Sequence, residues 1–584
     1  MHLSARVRPS LGAATGLVLG LLALGPGLRR GFLLSYDMVF VPREPFTSAM
    51  FGLSGGPPRA VPSDFVVAVA SRLLPADIVQ KLVLLLIFVL ACSGVAALFE
   101  QTQLDREPVL ARLAAAVFYG WNPYVAERLI IGQWALLIGY AGLPWVLRAG
   151  LILARDQSRP RDQSDECDKS KHSGHPERDA GRLVLALLPA IVGGFAALAI
   201  SALVLVPVAL AASKTRRLRT ATVFLAVLAV GSLPWLVPSL LHAVYADPGG
   251  VAAFASRADT PFGTVGSLVM LGGMWNAATV PKAYGGPASA IWLAVVLAAL
   301  AGYVLLAGVR PGRDNERRWP GLAAAALVSL LIACIGITAP GRALLRAAIG
   351  FWPGFAILRD AQQFIAPLAL AEAIGFGLAV SWCTRPTPFV KNQPPANERP
   401  RTPPPSPALS DLGGRLLGVL AVITPVLLLP GLAWGAAGRL RPAWYPASYL
   451  AAARAIDASP APGAVLLLPW VADRTPGWNH GETTLDPWPR LVSRPVIWND
   501  GTQVGNLALA PDDPAARRLD RLVSSAGPMT AALRAAGVRF VVVDGAPSGS
   551  PDPQDARDTP AGARLPGAVR LYYRPELVVY QIPR

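Results

Sequence analysis

Charge is scarce in this chain: 15% of its 584 residues are Asp, Glu, Lys or Arg, whereas 53% are hydrophobic. An ordinary soluble domain carries roughly 25% charged residues, so the composition excludes one and makes a lipid bilayer the main solvent. Cysteine and histidine are rarer still, at four and five residues. The cysteines stand at Cys92, Cys167, Cys334 and Cys383, with none in the last quarter. No disulfide framework is therefore implied, even for a tail in an oxidising compartment. Cys167, His172 and His175 share one polar loop but lack a fourth ligand at zinc-finger spacing, and we assign no metal to them. Also missing are a phosphate-binding Gly-x-x-x-x-Gly-Lys-Ser/Thr loop and a Gly-x-Gly-x-x-Gly run opening a helix after a strand. A nucleotide motor or dinucleotide enzyme is left without support.

Long apolar runs fill the space these absences leave. A crossing needs about 20 apolar residues, and that rule places spans near 11–28, 80–99, 108–125, 131–153, 219–241, 287–309, 320–339, 363–383 and 415–434. The first follows Arg6 and Arg8 and lacks a small-x-small cleavage site, so it reads as an uncleaved span rather than a removed signal. The run 183–213 is too long for one ordinary crossing, yet basic residues flank both ends: Arg182 before, and Lys214, Arg216, Arg217 and Arg219 after. A hairpin of two short segments turning near Gly193-Gly194 places both ends on one side. One long tilted helix is the alternative. With the hairpin, the count reaches about eleven.

The net charge is +17, and the basic residues of the membrane part cluster in short loops between apolar runs, where they set orientation rather than bind nucleic acid. Loops 154–182, 214–219, 310–319 and 384–415 carry most of the Lys and Arg of the membrane part, which places them and the N-terminus in the cytoplasm and the C-terminus outside. Arg29 and Arg30 break that pattern locally. Loops 155–182 and 386–408 read as disordered from their mixed-charge and Pro-rich composition. The fold class expected is a polytopic α-helical membrane protein, spanning 1–435, in a plasma (inner) membrane. An exterior α/β domain over 436–584 follows it.

Three connections on the outer side are long: 29–79, 242–286 and 340–362. Loops longer than about 15 residues tend to be functional. The first holds Asp37 among Leu33, Leu34, Met38, Val39 and Phe40, a setting that half-buries a carboxylate and raises its affinity for a proton. Its other role is that of a turn residue. Further along, Ser63 or Asp64 suits a helix N-cap, and Asp64 is also a candidate cavity contact. The third loop runs through Arg359 and Asp360 into a span, holding Arg359 at headgroup depth, where it can grip a phosphate or pair with Asp360. Glu372 lies within that span, where a charge costs about 2.5–3.5 kcal/mol, so it faces a cavity or a partner. Glu127 and Arg128, after Trp121-Asn122-Pro123-Tyr124, line the same outer cavity or cap the turn.

Beyond residue 440 the pattern alternates: a helix at 447–458, strands at 464–470, 495–498 and 538–544, a helix from Pro528 closed by Gly537, and a terminal hairpin around 571–573 and 577–580. Between the first two strands, Trp478, Trp488 and Trp498 sit near Asp, Asn and His480. They form either a sugar-stacking surface or a packing face, and His480 reads as a satisfied loop residue.

Four features together resemble the GT-C superfamily of integral membrane glycosyltransferases, in particular actinobacterial arabinofuranosyl- and mannosyltransferases. They are Asp37 with Asp64 in the first outer loop, the paired short spans of 183–213, Pro353-Gly354-Phe355 followed by Leu358-Arg359-Asp360-Ala361-Gln362-Gln363-Phe364 before a late span, and the C-terminal domain. The resemblance covers most of the chain and rests on architecture. It implies transfer of arabinofuranose or mannose from a polyprenyl-phosphate donor to a cell-envelope glycan or lipid acceptor, with inversion. In that reaction Asp37 is the base, Arg359 and Gln363 hold the donor phosphate, and an apolar groove holds the tail. Where relatives often place two acids side by side or one residue apart, Tyr36-Asp37-Met38 offers one, so no cofactor is fixed and a divalent metal is left open. Transport of a lipid-linked precursor, or a scaffold role without chemistry, are the other readings.

Overall fold

A computed structural model describes residues 8–101 without 55, 57 and 59, then 109–154, 176–212, 214–241, 245–307, 319–384, 407–504, 507–545 and 560–583. The Cys167, His172 and His175 loop and the Pro-rich segment 386–406 lie outside the described residues. Residues 176–182, expected as part of a disordered loop, instead open a helix.

The helices of the membrane part run α1 (Arg8–Leu24), α2 (Ser63–Leu73), α3 (Ala76–Gln101), α4 (Val109–Gly120), α5 (Pro123–Ile130), α6 (Trp134–Ala154), α7 (Pro176–Ala211) and α8 (Lys214–Leu241). Then follow α9 (Gly250–Ala253), α10 (Gly263–Val269), α11 (Ala288–Gly302), α12 (Trp319–Ile335), α13 (Ala339–Phe351), α14 (Ala366–Cys383) and α15 (Pro407–Leu428). Among the described residues, seven helices are long and apolar enough to cross a membrane, or up to nine if two bent pairs each make one span. The expected count near eleven differs for two physical reasons. The 108–125 run breaks after the 12-residue α4, because Asn122 caps a new helix by accepting from the Val125 amide at 3.1 Å and Pro123 occupies its first position. The second reason is α7, which by length passes as a single span.

Helix α7 turns back on itself at Gly194, whose φ of 77° is closed to most side chains. Along α6, Gly142 faces Pro189, Gly139 faces both Ala190 and Ala197, and Gly150 faces Leu205 and Val208. The first arm of α7 thus runs antiparallel to α6 and the second parallel to it. Small residues at these contacts let three helix segments pack closely, and the 183–213 run is a hairpin at the glycine pair. Helix α14 lies at the centre, with 94% of its apolar window buried. The connection 340–362, read as a loop, contains α13, bent 94° from α12 by the cap at Thr338 and the proline that follows. Arg30, which broke the charge pattern, chelates Asp77 of α3 at 2.5 and 3.1 Å.

The C-terminal region holds a five-stranded sheet. With β1 (Phe32–Leu33), β2 (Pro442–Ala443), β3 (Ala464–Leu468), β4 (Asp473–Arg474), β5 (Thr484–Leu485), β6 (Val496–Ile497), β7 (Gln503–Val504), β8 (Leu507–Ala508), β9 (Val538–Asp544), β10 (Val569–Arg574) and β11 (Leu577–Gln581), its order is β10-β11-β9-β3-β6. Strand β3 runs parallel to β6 and β9, and β11 runs antiparallel to β9 and β10. Alternate residues face opposite cores. Val465, Leu467, Phe540, Val542, Leu577 and Val579 join the large core shared with the membrane helices, while Leu466, Leu468, Val541, Val543 and Val578 pack with the helices 514–524 and 530–535.

Candidate functional site

The 29–79 connection is stitched to the C-terminal region. Strand β1 pairs antiparallel with β2, the Tyr445 hydroxyl donates to the Phe40 carbonyl at 2.9 Å, and the Asn479 amide donates to the Leu34 carbonyl at 3.2 Å. Asp64 does not cap α2, whose N-cap is Pro62. Its carboxylate is bound instead by Arg490 of the C-terminal region at 2.9 Å, and the Arg490 Nε also lies 3.7 Å from Glu44. A carboxylate drawn to a guanidinium leaves the backbone amides of the first turn to other partners.

Between these anchors, Ser35 to Met38 form a tight turn closed by the Met38 amide on the Ser35 carbonyl at 2.8 Å. The Asp37 amide donates to the Ile131 carbonyl at 3.0 Å, and the Ser35 hydroxyl to Ile130 at 2.5 Å. Tyr36 sits at φ 43°, a strained position for a residue with a side chain. The turn puts Met38 inside and projects the Asp37 carboxylate outward, so Asp37 is exposed rather than half-buried among its apolar neighbours as expected. Gly132, at φ 85°, lies directly under the turn, where a Cβ would collide with the Ser35 carbonyl and the Met38 amide. Gly132→Ala is therefore expected to lower any Asp37-dependent activity at least tenfold through displacement of the turn, since about 1 Å of misplacement can cost about 10²-fold. Comparing activity with unchanged yield and membrane insertion checks this.

Behind Asp37, the Gln133 side-chain amide donates to its Oδ2 at 3.2 Å and accepts from Arg128 at 2.5 Å. Arg128, fully buried, grips Asp360 through both carboxylate oxygens at 2.5 and 2.8 Å and also donates to Gln362. Gln362 donates to Glu127 and to the Gly272 carbonyl, both at 3.2 Å. Burial, and then the charge of Asp259, pushes the Glu127 carboxyl well above the usual carboxylate range. Asp259, its acidic neighbour, accepts from the amides of Gly273 and Met274, and burial raises its carboxyl too. Of the sequence candidates, Glu127, Arg128 and Asp360 thus meet in one network that reaches Asp37 through Gln133.

Arg359 lies one residue from that network. Its guanidinium donates to the Asp247 carbonyl at 3.3 Å, approaches Asp512 of the C-terminal region at 3.8 Å, and sits over the Phe254 ring at 5.4 Å. Phe254 meets Trp275 edge-on at 4.7 Å, and both belong to an apolar floor with Tyr36, Ile131, Met274 and Val504. The Trp275 N–H is buried in that floor without a hydrogen-bond partner. Gln363 spends its side-chain amide on the Ile357 carbonyl at 2.8 Å. Glu372 is set apart, fully buried within α14 with neither carboxylate oxygen hydrogen-bonded.

Trp488 and Trp478 both pack on the tyrosines of helix 447–458 and its approach. Trp488 has no exposed surface: it stacks on Tyr449 at 5.5 Å and donates to Asp544 at 3.4 Å, a core role that corrects the sugar-stacking expectation for it. Trp478 packs on Tyr445 and Tyr449 and donates to the Tyr449 hydroxyl at 3.3 Å. His480 lies 3.1 Å from the Pro442 carbonyl. Among the described residues, no group of three or more His, Cys, Asp or Glu side chains is placed to hold a metal ion. Residue patterns alone did not single out Gln133, Asp259 and Trp275. The one signal for Gln133 was a polar residue in the Gly132 turn next to a span.

No protein-family model matches the sequence, and no curated protein does. Solved structures do. The cryo-EM structure of arabinofuranosyltransferase AftD from Mycobacteria superposes with a TM-score of 0.59 at 17% identity, over 100% of this chain and 40% of that one. Two structures of a mutant of that protein give TM-scores of 0.59 and 0.58, also at 17% identity, over 100% of this chain and 42% of theirs. The chain spans less than half the length of these relatives. With its polytopic helices and its C-terminal sheet, the chain shares the fold of the matched part of that arabinofuranosyltransferase structure.

Proposed function

We propose that the chain transfers a sugar, arabinofuranose or mannose, from a polyprenyl-phosphate donor to a hydroxyl of a cell-envelope glycan or lipid on the outer face of the plasma (inner) membrane. The N-terminus is then cytoplasmic and the C-terminal region, as a domain over 436–584, exterior. The observation that carries this reading is the exposed Asp37 carboxylate on a turn braced from both halves of the chain, in a fold shared with an arabinofuranosyltransferase.

The chemistry follows from where charge moves. Asp37 takes the proton of the acceptor hydroxyl as the oxygen attacks the anomeric carbon. A new glycosidic C–O bond forms on one face while the C–O bond to phosphate breaks on the other, inverting the centre and releasing polyprenyl phosphate. Arg359 stabilises the charge left on that phosphate, exchanging its long contact with Asp512 for the ligand, and the floor of Phe254 and Trp275 supports the sugar between the two. Gln363 and Arg128 act at a remove, fixing the segment that carries Arg359 and the amide that aims Asp37. Any divalent metal would have to be held largely by donor oxygens. A second reading, carriage of a lipid-linked precursor, is favoured by the unpartnered Glu372 within a span.

The test is turnover of the detergent-purified protein with radiolabelled polyprenyl-phospho-arabinose and polyprenyl-phospho-mannose and a cell-wall glycan acceptor. Transfer of either sugar is the expected result. Saturable binding of the lipid without transfer would replace the enzyme with a carrier.

A further inference from the structure

The Tyr36-Asp37-Met38 turn carries one acid, but the fold brings a second toward it from more than four hundred residues away. The Tyr36 amide donates to the Thr483 carbonyl at 2.8 Å and the Leu485 amide to the Tyr36 carbonyl at 2.9 Å, so the turn that carries Asp37 is bridged to the free side of β5 in the β4–β5 pair. In that pair Leu485 lies opposite Asp473. Asp473 is half-buried on β4, one strand beyond the bridge to the turn, and the charge that reaches it is that of Asp37. Of the other charged groups of the strap, Glu482 adds a further negative charge, and the basic groups are engaged elsewhere. Arg474 binds Asp486 at 3.1 Å and Asp544 at 3.0 Å, His480 faces the Pro442 carbonyl, and on the membrane side Arg128 is closed on Asp360. Gln133, which touches Asp37, is neutral.

We infer that Asp473 is a positioning residue for the base: a second carboxylate, supplied by the C-terminal region, whose negative charge strengthens Asp37 as a proton acceptor. This deepens the glycosyltransferase reading and rests on it. Two carboxylates that feel each other cannot ionise independently. Burial first, and then the Asp37 charge, pushes the Asp473 carboxyl up to about 6. Above that pH both acids are charged and Asp37 is the stronger base. Below it Asp473 is neutral and its help is withdrawn.

Two measurements test this on the full-length protein. In the transfer assay, Asp473→Asn should be slower than wild type by up to about tenfold at pH 7.5, and the two should converge below pH 5. Asp473→Glu should restore the wild-type profile. A purely structural role for Asp473 slows transfer by the same factor at every pH, and that result would overturn the proposal. Independently of turnover, infrared difference titration should show a carboxyl near pH 6 in wild type that is absent in Asp473→Asn and moves to lower pH in Asp37→Asn. An unmoved titration in Asp37→Asn also overturns it. Full transfer by Asp37→Asn sinks the base assignment itself, whatever Asp473 does, so the two failures are distinguishable.

Discussion

Asp37→Asn is expected to reduce sugar transfer by about 10²–10⁴-fold, the usual range for removing a general base, while leaving assembly and lipid-donor binding intact. The side chain is exposed and its removal opens no cavity. Its backbone amide, not its carboxylate, holds the turn to Ile131, and Asn keeps the shape and an acceptor for Gln133. What Asn lacks is the capacity to accept a proton at neutral pH. The loss should therefore appear in kcat far more than in KM for donor, with an unchanged unfolding transition. Retained kcat would remove the base assignment.

The second large effect concerns Arg128. Removing one partner of a buried ion pair costs about 3–5 kcal/mol, because the other charge is left uncompensated; Arg128 is fully buried and Asp360 partly exposed, which sets the loss at the lower end of that range. Arg128→Met strands Asp360 and also frees Gln362 and Gln133 from their common donor. We expect a loss of that size in a denaturant titration, together with lower transfer as Gln133 ceases to aim Asp37. The double variant Arg128→Met with Asp360→Leu should recover part of the stability, since neighbouring sites are not additive and an apolar pair of similar volume is often tolerated. It should not recover activity. Equal and additive losses would mean that the pair is not coupled.

Much of the fold is legible in the residues, because its strongest signals are local. The hairpin in 183–213 follows from charge on both flanks and a glycine pair at the middle, and the turn is found at Gly194. The helix closed by Gly537 and the strand 538–544 follow from pattern and punctuation, and stand nearly as read. Where local signals compete, the reading fails. Asp64 has the sequence of a cap, but Arg490, 426 residues away, takes its carboxylate. The apolar run through 108–125 hides a helix start at Asn122.

The site is legible only in part. Glu127, Arg128 and Asp360 could be listed as polar residues near one interface, but their mutual ion pair depends on the packing of α5 beside the 353–365 segment. Trp488, with a suggestive sequence context for sugar, is core because Asp544 and Tyr449 need its indole. The partnership of Asp37 with Asp473 is invisible along the chain, since it is made by strand pairing across the seam.

That pairing also makes the C-terminal region a lever on the reacting carboxylate. The turn bearing Asp37 is fastened to the helices below through Ile131 and Gln133 and to the β4–β5 strands above through Tyr36. Any tilt of the upper body must bend the turn or break its bonds.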